Sequence, residues 1–213
     1  MSVRHHPTAE LLEGFAAGHL DEAQRIVLAT HVHHCATCRG WVRSLEHIGG
    51  AVLESLAPSR MSAGALAQVR ARLDPHAPPP SGSAIDSSPE IAGLPAFVRH
   101  LKTGPWSWVA PGIHVRRVIL EDSPSRLFFL RSKAGARFIP HSHTGTELTC
   151  VLHGGFEHDD ADYEPGDIDV GIPGVDHAIH IAPGEPCISL VALSGNLTFH
   201  GFIGRILNLL VRL

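Results

Sequence analysis

The chain has 213 residues, of which 44% are hydrophobic and 18% charged, with a formal net charge of −4. That length allows one or two domains with cores of ordinary size, and residues 1–74 balance seven basic against seven acidic side chains, which argues against direct DNA binding. Four cysteines argue against a disulfide framework, no signal-peptide pattern follows Met1, and the apolar run at 206–213 is too short to span a bilayer, so the cytoplasm is the expected location.

Thr8 reads as the N-cap of a first helix running to about Gly18, with Leu11, Leu12 and Phe15 on one side. Asp21 opens a second helix that ends at His34 and offers Ile26, Val27 and Ala29 for burial. A third helix is expected over 38–56, with Trp41, Leu45, Ile48, Val52, Leu53 and Leu56 as its apolar stripe. Its Gly49-Gly50 pair costs about 1 kcal/mol per glycine, and Pro58 stops it. Ser62 caps a fourth helix over 63–73, carrying Leu66, Val69 and Leu73. Such a small core is not expected to hold its shape tightly without a metal or a partner.

The end of the second helix reads His31-Val-His-His-Cys35-Ala-Thr-Cys38. Residues four apart share a helix face, so His31 and Cys35 offer a nitrogen and a sulfur to one point, and a turn brings Cys38 round to it. Two sulfurs and a nitrogen suit Zn²⁺, which in a structural role takes a fourth protein ligand. His5 and His6 are the candidates, with His34 as a local competitor. His6 is preferred, because an arm pinned by metal supplies a cross-link that a short domain otherwise lacks. A redox Cys-x-x-Cys is the other option, but the strand–helix pattern that accompanies one is missing. Seventeen histidines, clustered as they are, also point to metal.

Residues 75–90 form a linker by composition, dominated by proline, serine and glycine. It separates a zinc-binding helical domain at 1–74 from a β domain at 91–213. Short β-rich runs are expected at 106–109, 114–120, 125–131, 147–152, 156–158, 168–171 and 188–193. Turn signals recur between them, as in Glu164-Pro165-Gly166-Asp167 and Pro173-Gly174. The spacing reads as an all-β barrel or sandwich, and the chain as α followed by all-β.

Within the β region the pattern Gly135-x5-His141-x-His143-x3-Glu147-x6-Gly154 stands out. His141 and His143 alternate along a strand and project from one face, and Glu147 returns on the same side after Thr144-Gly145-Thr146. His177 follows a second turn motif beginning at Gly166. Three imidazoles and a carboxylate inside a barrel form a shell for zinc, manganese, iron or nickel, and ligand type alone does not choose among them. His153, His158, His180 and His200 read as surface or barrel-lining groups. Cys150 and Cys187 read as buried, inert thiols, with oxidisable reporters as the alternative.

The His-x3-Cys-x2-Cys run on the second of a few short helices resembles the zinc-binding anti-sigma factors. The pattern from Gly135 to Gly154 resembles the first motif of the cupin β-barrels, the double-stranded β-helix or jelly roll. The second cupin motif is looser: Gly166, Gly174 and His177 are in place, the proline is displaced by one to Pro173, and Ile181 stands where an asparagine is expected. Both halves together resemble the ChrR-type anti-sigma factors over nearly the whole chain. The resemblance implies that His6, His31, Cys35 and Cys38 hold a structural Zn²⁺. It implies likewise that His141, His143, Glu147 and His177 hold Zn²⁺ or another divalent metal. The partner it implies is an extracytoplasmic-function sigma factor whose polymerase-binding surfaces the helical domain hides. Singlet oxygen or related organic oxidants, sensed through the cupin, would release it. Leu11, Phe15, Trp41 and Leu45 are the apolar residues that could dock helix-in-groove, or else pack as core. The chain is then not an enzyme. The rival is a metal-dependent cupin dioxygenase or isomerase with an accessory zinc domain, which the fused clamp and the absence of a separate acid–base pair count against. A homodimer through the cupin is left open.

Overall fold

The computed structural model describes residues 3–73 and 94–199. The expected linker at 75–90, His200 and the apolar run at 206–213 lie outside the described residues.

Thr8 caps α1 (Ala9–Ala16), its hydroxyl accepting from the Leu11 amide. Asp21 caps α2 (Glu22–His34), with the Gln24 amide 3.0 Å from Oδ1. The same carboxylate is held from the β domain, where Ser125 donates to Oδ2 at 2.6 Å and Ser123 to Oδ1 at 3.2 Å. α3 (Ala36–Ser55) starts before the expected position because Cys35 is itself the cap, its sulfur accepting from the Cys38 amide at 3.3 Å. α4 (Ala65–Arg72) has Gly64, not Ser62, at its cap position and no side-chain cap bond. A single turn, α5 (Ala96–Arg99), leads into the barrel and was not expected from the sequence.

The strands are β1 (Thr103–Ala110), β2 (Ile113–Val118), β3 (Arg126–Ser132), β4 (His141–His143), β5 (Glu147–His153), β6 (Phe156–His158), β7 (Ala161–Tyr163), β8 (Ile168–Gly171), β9 (His180–Ile181), β10 (Cys187–Leu193) and β11 (Leu197–Phe199). They form an antiparallel sheet in the order β1-β2-β3-β10-β5-β8, a two-stranded sheet β11-β4 and a three-stranded sheet β7-β6-β9. Every strand expected from the spacing is present. β7, β9 and β11, of two or three residues each, are additions.

α2 lies against the outside of the six-stranded sheet. Its Ala23, Val27 and Leu28 share one buried cluster with Leu127, Phe129, Leu148, Cys150, Ile168, Leu190 and Ala192. The alternate positions Glu147, Thr149, Cys187, Ser189 and Val191 line the barrel interior. β10 is therefore buried at every position, one face closing the barrel and the other lying under the helix. Each fully buried aliphatic side chain contributes about 1.5–3 kcal/mol, so helices and barrel are joined by a common core. Leu11 and Phe15 pack partly into this core.

α3 behaves differently from its expected role. Of its 20 residues only Cys38 and Val42 are buried, and Trp41 (50%), Val52 (58%) and Leu53 (70%) are exposed. Ile48, Leu56, Leu66, Val69 and Leu73 are exposed as well. A helix this long reaches about 30 Å, past the short α1 that packs on its first turns. The apolar stripe is real, but no described residue covers its outer half. No helix among the described residues is long and apolar enough to cross a membrane.

Candidate metal centres

The N-terminal centre is assembled by three elements. The end of α2 supplies His31, the α2–α3 junction supplies Cys35 and Cys38, and the arm before α1 supplies His6. The Nδ1 atom of His6 lies 3.4 Å from both sulfurs, and Nε2 of His31 lies 3.2 Å from the Cys38 sulfur. All four donor atoms fall within 4.8 Å of one another. Tetrahedral bonds of about 2.3 Å to sulfur and about 2.0 Å to nitrogen place neighbouring donors about 3.5 Å apart, so this donor set fits Zn²⁺ in spacing and chemistry. Burial and the neighbouring Cys35 push the Cys38 thiol up to about 12, and a bound cation would reverse that by favouring the thiolate.

The remaining nitrogen of His31 identifies the outer shell. Nδ1 donates to the Gly166 carbonyl at 2.8 Å, which leaves Nε2 unprotonated and facing the sulfurs. Burial holds His31 down at about 4, so it is neutral at neutral pH. The Gly166 carbonyl belongs to the barrel turn before β8. The neighbouring Asp167 is buried, its Oδ1 accepting from the Arg4 amide at 2.6 Å and the His5 amide at 3.0 Å, and its Oδ2 from the Glu164 amide at 2.9 Å. The Ile168 amide donates to the His5 carbonyl at 3.3 Å, so the arm runs beside the exposed edge of β8. The side chain of His5 turns away from the cysteines, stacks on Tyr163 at 4.1 Å and reaches the Asp162 carbonyl at 3.1 Å. Of the candidates for the fourth position, the structure brings only His6 to the sulfurs.

The barrel centre gathers His141 and His143 of β4 with His177, which pairs with His141 in an isolated antiparallel bridge. The backbones of His141 and His177 exchange hydrogen bonds at 3.1 and 2.9 Å, which fixes their register. Nδ1 of His141 donates to the Ile139 carbonyl at 2.9 Å, aiming Nε2 inward, and the Nε2 atoms of His143 and His177 stand 2.8 Å apart. Glu147 brings Oε2 to 3.4 Å from Nε2 of His143, and its Oε1 accepts from Thr149 at 3.1 Å. Burial lowers His143 and His177 to about 4 and raises Glu147 to about 7. Neither ring's Nδ1 has a hydrogen-bond partner among the described residues, and two neutral imidazoles this close, with a carboxylate beside them, make a donor set that fits a divalent cation. A Cβ on Gly171 would stand 2.6 Å from Cε1 of His143 and 3.2 Å from Cβ of Glu147, so that glycine makes the room the donors occupy.

Two residues of this site were not singled out from the sequence. His158, read only as a surface or barrel-lining group, is buried and donates Nδ1 to Oδ2 of Asp169 at 2.9 Å. With His177 they form a second set of ligand atoms within 4.8 Å. Nothing in the sequence marked the pair, because β6 has three residues and β8 four, too few to show a period.

Beside the histidines the barrel encloses a cavity of about 290 Å³. Val115, Phe128, Leu130, Phe138 and Ile179 give it an apolar wall, and His141 and Glu147 stand at one side. Ile181, the departure from the second cupin motif, lines it too and pairs with Phe156.

Residues 95–195 match the family model described as the ChrR cupin-like domain. Over 210 residues, 97% of this chain and 97% of its relative, the sequence is 35% identical to the anti-sigma-E factor ChrR of Cereibacter sphaeroides. The crystal structure of Rhodobacter sphaeroides SigE in complex with the anti-sigma ChrR aligns with 91% of this chain and 100% of that chain, at 30% identity and a TM-score of 0.73. A cupin protein from Ralstonia eutropha aligns with 51% of this chain and 78% of that chain at 20% identity, and its TM-score of 0.43 is too low to bear on the fold. With helices, barrel and both donor sets inside a match of nearly full length, the chain belongs to the family of ChrR, a regulator and not an enzyme.

Proposed function

We propose that this chain is an anti-sigma factor of the cytoplasm. It binds an extracytoplasmic-function sigma factor, hides the surfaces with which that factor meets RNA polymerase, and releases it when an oxidant reaches the cupin barrel. The observation that carries this reading is the uncovered apolar face of α3 and α4, from Trp41 through Val52, Leu53 and Leu56 to Leu66 and Val69. Exposed apolar side chains at helical spacing, as along α3, fit a groove on a partner. The partner class is supported by the aligned relative, which was crystallised with SigE.

In this reading His6, His31, Cys35 and Cys38 hold a structural zinc that fixes the angle between α2 and α3, and so the face α3 presents. His141, His143, Glu147 and His177 hold a divalent metal, which supplies a Lewis-acidic or redox-active point beside the cavity. The apolar wall suits an organic oxidant better than a charged one. Cys150 and Cys187 are poor points of attack, since burial pushes their thiols up to about 12 and about 11 and the thiolate is the reactive form. Release requires the oxidised cupin to favour the free state over the complex.

The test is capture of an extracytoplasmic-function sigma factor from the same organism by the full chain, with Cys35→Ser and Cys38→Ser as controls. Capture that blocks polymerase binding, is lost in both controls and is reversed by singlet oxygen or an organic hydroperoxide is the expected result. Failure of capture sinks the anti-sigma role. Capture that persists under oxidant, or a His141→Ala chain that still responds, sinks the sensing role alone.

A further inference from the structure

The two donor sets stand at opposite ends of one strand. At the first end, the turn before β8 supplies the Gly166 carbonyl to His31 and the Asp167 carboxylate to the amides of the arm that carries His6. At the other, Asp169 accepts from His158, and Gly171 packs where a Cβ would strike His143 and Glu147. We propose that the segment from Gly166 to Gly171 couples the two centres, so that the state of the barrel donors sets how tightly the N-terminal centre holds its metal.

The physical case rests on stiffness and on the lack of alternatives at each end. The three residue steps of β8 span about 10 Å, and pairing with β5 from Glu147↔Gly171 to Cys150↔Ile168, continued by the Asp167 carbonyl accepting from the Val151 amide, keeps the segment from bending independently. The Asp167 carboxylate is occupied by three backbone amides from two parts of the chain. A shift of the strand along its axis must therefore carry the arm with it or break charge-assisted bonds. His31 has no exposed surface, and its outer nitrogen has the Gly166 carbonyl as its partner. Motion of the turn thus reaches one zinc-facing donor through Gly166 and a second through Asp167. Asp167 and Asp169 act here as positioning residues, since neither belongs to the donor set at the cysteines. Outer-shell groups of this kind change metal affinity by about 10–100-fold when removed.

The inference rests on both donor sets taking metal. The test uses the full chain loaded with Co²⁺, whose thiolate charge-transfer absorption reports only the cysteine centre because the barrel set has no sulfur. The rate of loss to an excess of chelator is compared for the wild type, Asp167→Asn, His158→Asn and the double variant. Asp167→Asn is expected to speed the loss about tenfold or more. His158→Asn, acting from the far end of the strand, speeds it severalfold in the wild-type background and adds little in Asp167→Asn, the mark of a shared path. A wild-type rate in His158→Asn, or two effects that simply multiply, overturns the coupling. Should Asp167→Asn fail to fold, amide hydrogen exchange decides. Protection of Arg4, His5 and Ile168 is expected to fall in His141→Ala relative to wild type with the cysteine centre filled, and unchanged protection overturns the proposal. If no thiolate band forms at all, the metal reading fails and the coupling with it.

Discussion

At Gly166 both the carbonyl and the missing side chain matter. The residue sits at φ +96°, where a Cβ would lie 2.9 Å from Cγ2 of Val3 and 3.1 Å from Cβ of His34. The Val3 methyl can give way, while the Cβ of His34, fixed to α2, needs a shift of a few tenths of an ångström, which adds to the backbone term. Gly166→Ala should cost about 1–2 kcal/mol, measured by chemical denaturation, and should hasten loss of metal from the cysteine centre. Gly171→Ala is a harsher change for a different reason: its Cβ would meet the His143 ring at 2.6 Å, inside a packed barrel. The expected result is a folded chain that binds one metal fewer than wild type while keeping the thiolate spectrum of the cysteine centre. Full metal content in that variant would mean that His143 is not a ligand.

The element that separates legible from illegible in this sequence is α3. Its apolar stripe could be read from spacing, but whether the stripe faces a core or a partner could not, because nothing in a periodicity says what lies opposite. Surface cost settles the expectation. With Val52 and Leu53 at 58% and 70% exposure, Val52→Glu and Leu53→Glu should each move stability by no more than about 0.5 kcal/mol, yet together abolish capture of the sigma factor. A large loss of stability would place those side chains in a core instead. Caps formed by Thr8 and Asp21 were legible because each is a single residue with a local partner, whereas the α3 start was not, its cap being a cysteine already assigned to metal. His141, His143, Glu147 and His177 were legible as a pattern. The His158–Asp169 pair was not, since its partners come from different sheets and neither strand has a length that reveals a period. The run of β10, apolar but for Ser189, did carry a message: a strand buried at every position is covered on both sides, and α2 is the outer cover.

For the whole molecule, a shared core means that metal removal and unfolding are distinct events. Many small zinc modules unfold without their ion, but here Val27 and Leu28 are fully buried against the barrel. Chelation should free the arm and loosen α1 and α3 while α2 stays docked, giving a partial loss of helical signal by circular dichroism; complete loss would show that the metal holds α2 as well. Acid then acts on the metal-free chain in a definite direction. Burial holds His31, His143 and His177 at about 4 against an ordinary 6.5. In that interval the unfolded chain binds protons that the folded chain refuses, and stability falls as pH drops from 6.5 towards 4. Glu147 works the other way, because its raised value of about 7 against 4.5 makes the folded chain the better proton acceptor. His158 is raised by Asp169, so its contribution is lost only above the ordinary histidine range and does not enter this window. These depressed histidines, with His141 and His34 lowered by burial in the same direction, outweigh one raised carboxyl. The denaturation midpoint of the chelated protein should therefore decline on acidification across this range, and a flat or rising midpoint would mean that these rings do not stay buried in the unliganded fold. Because ligation demands the same deprotonated nitrogens, the metal-loaded chain should resist acid further, by a margin that grows with free metal concentration.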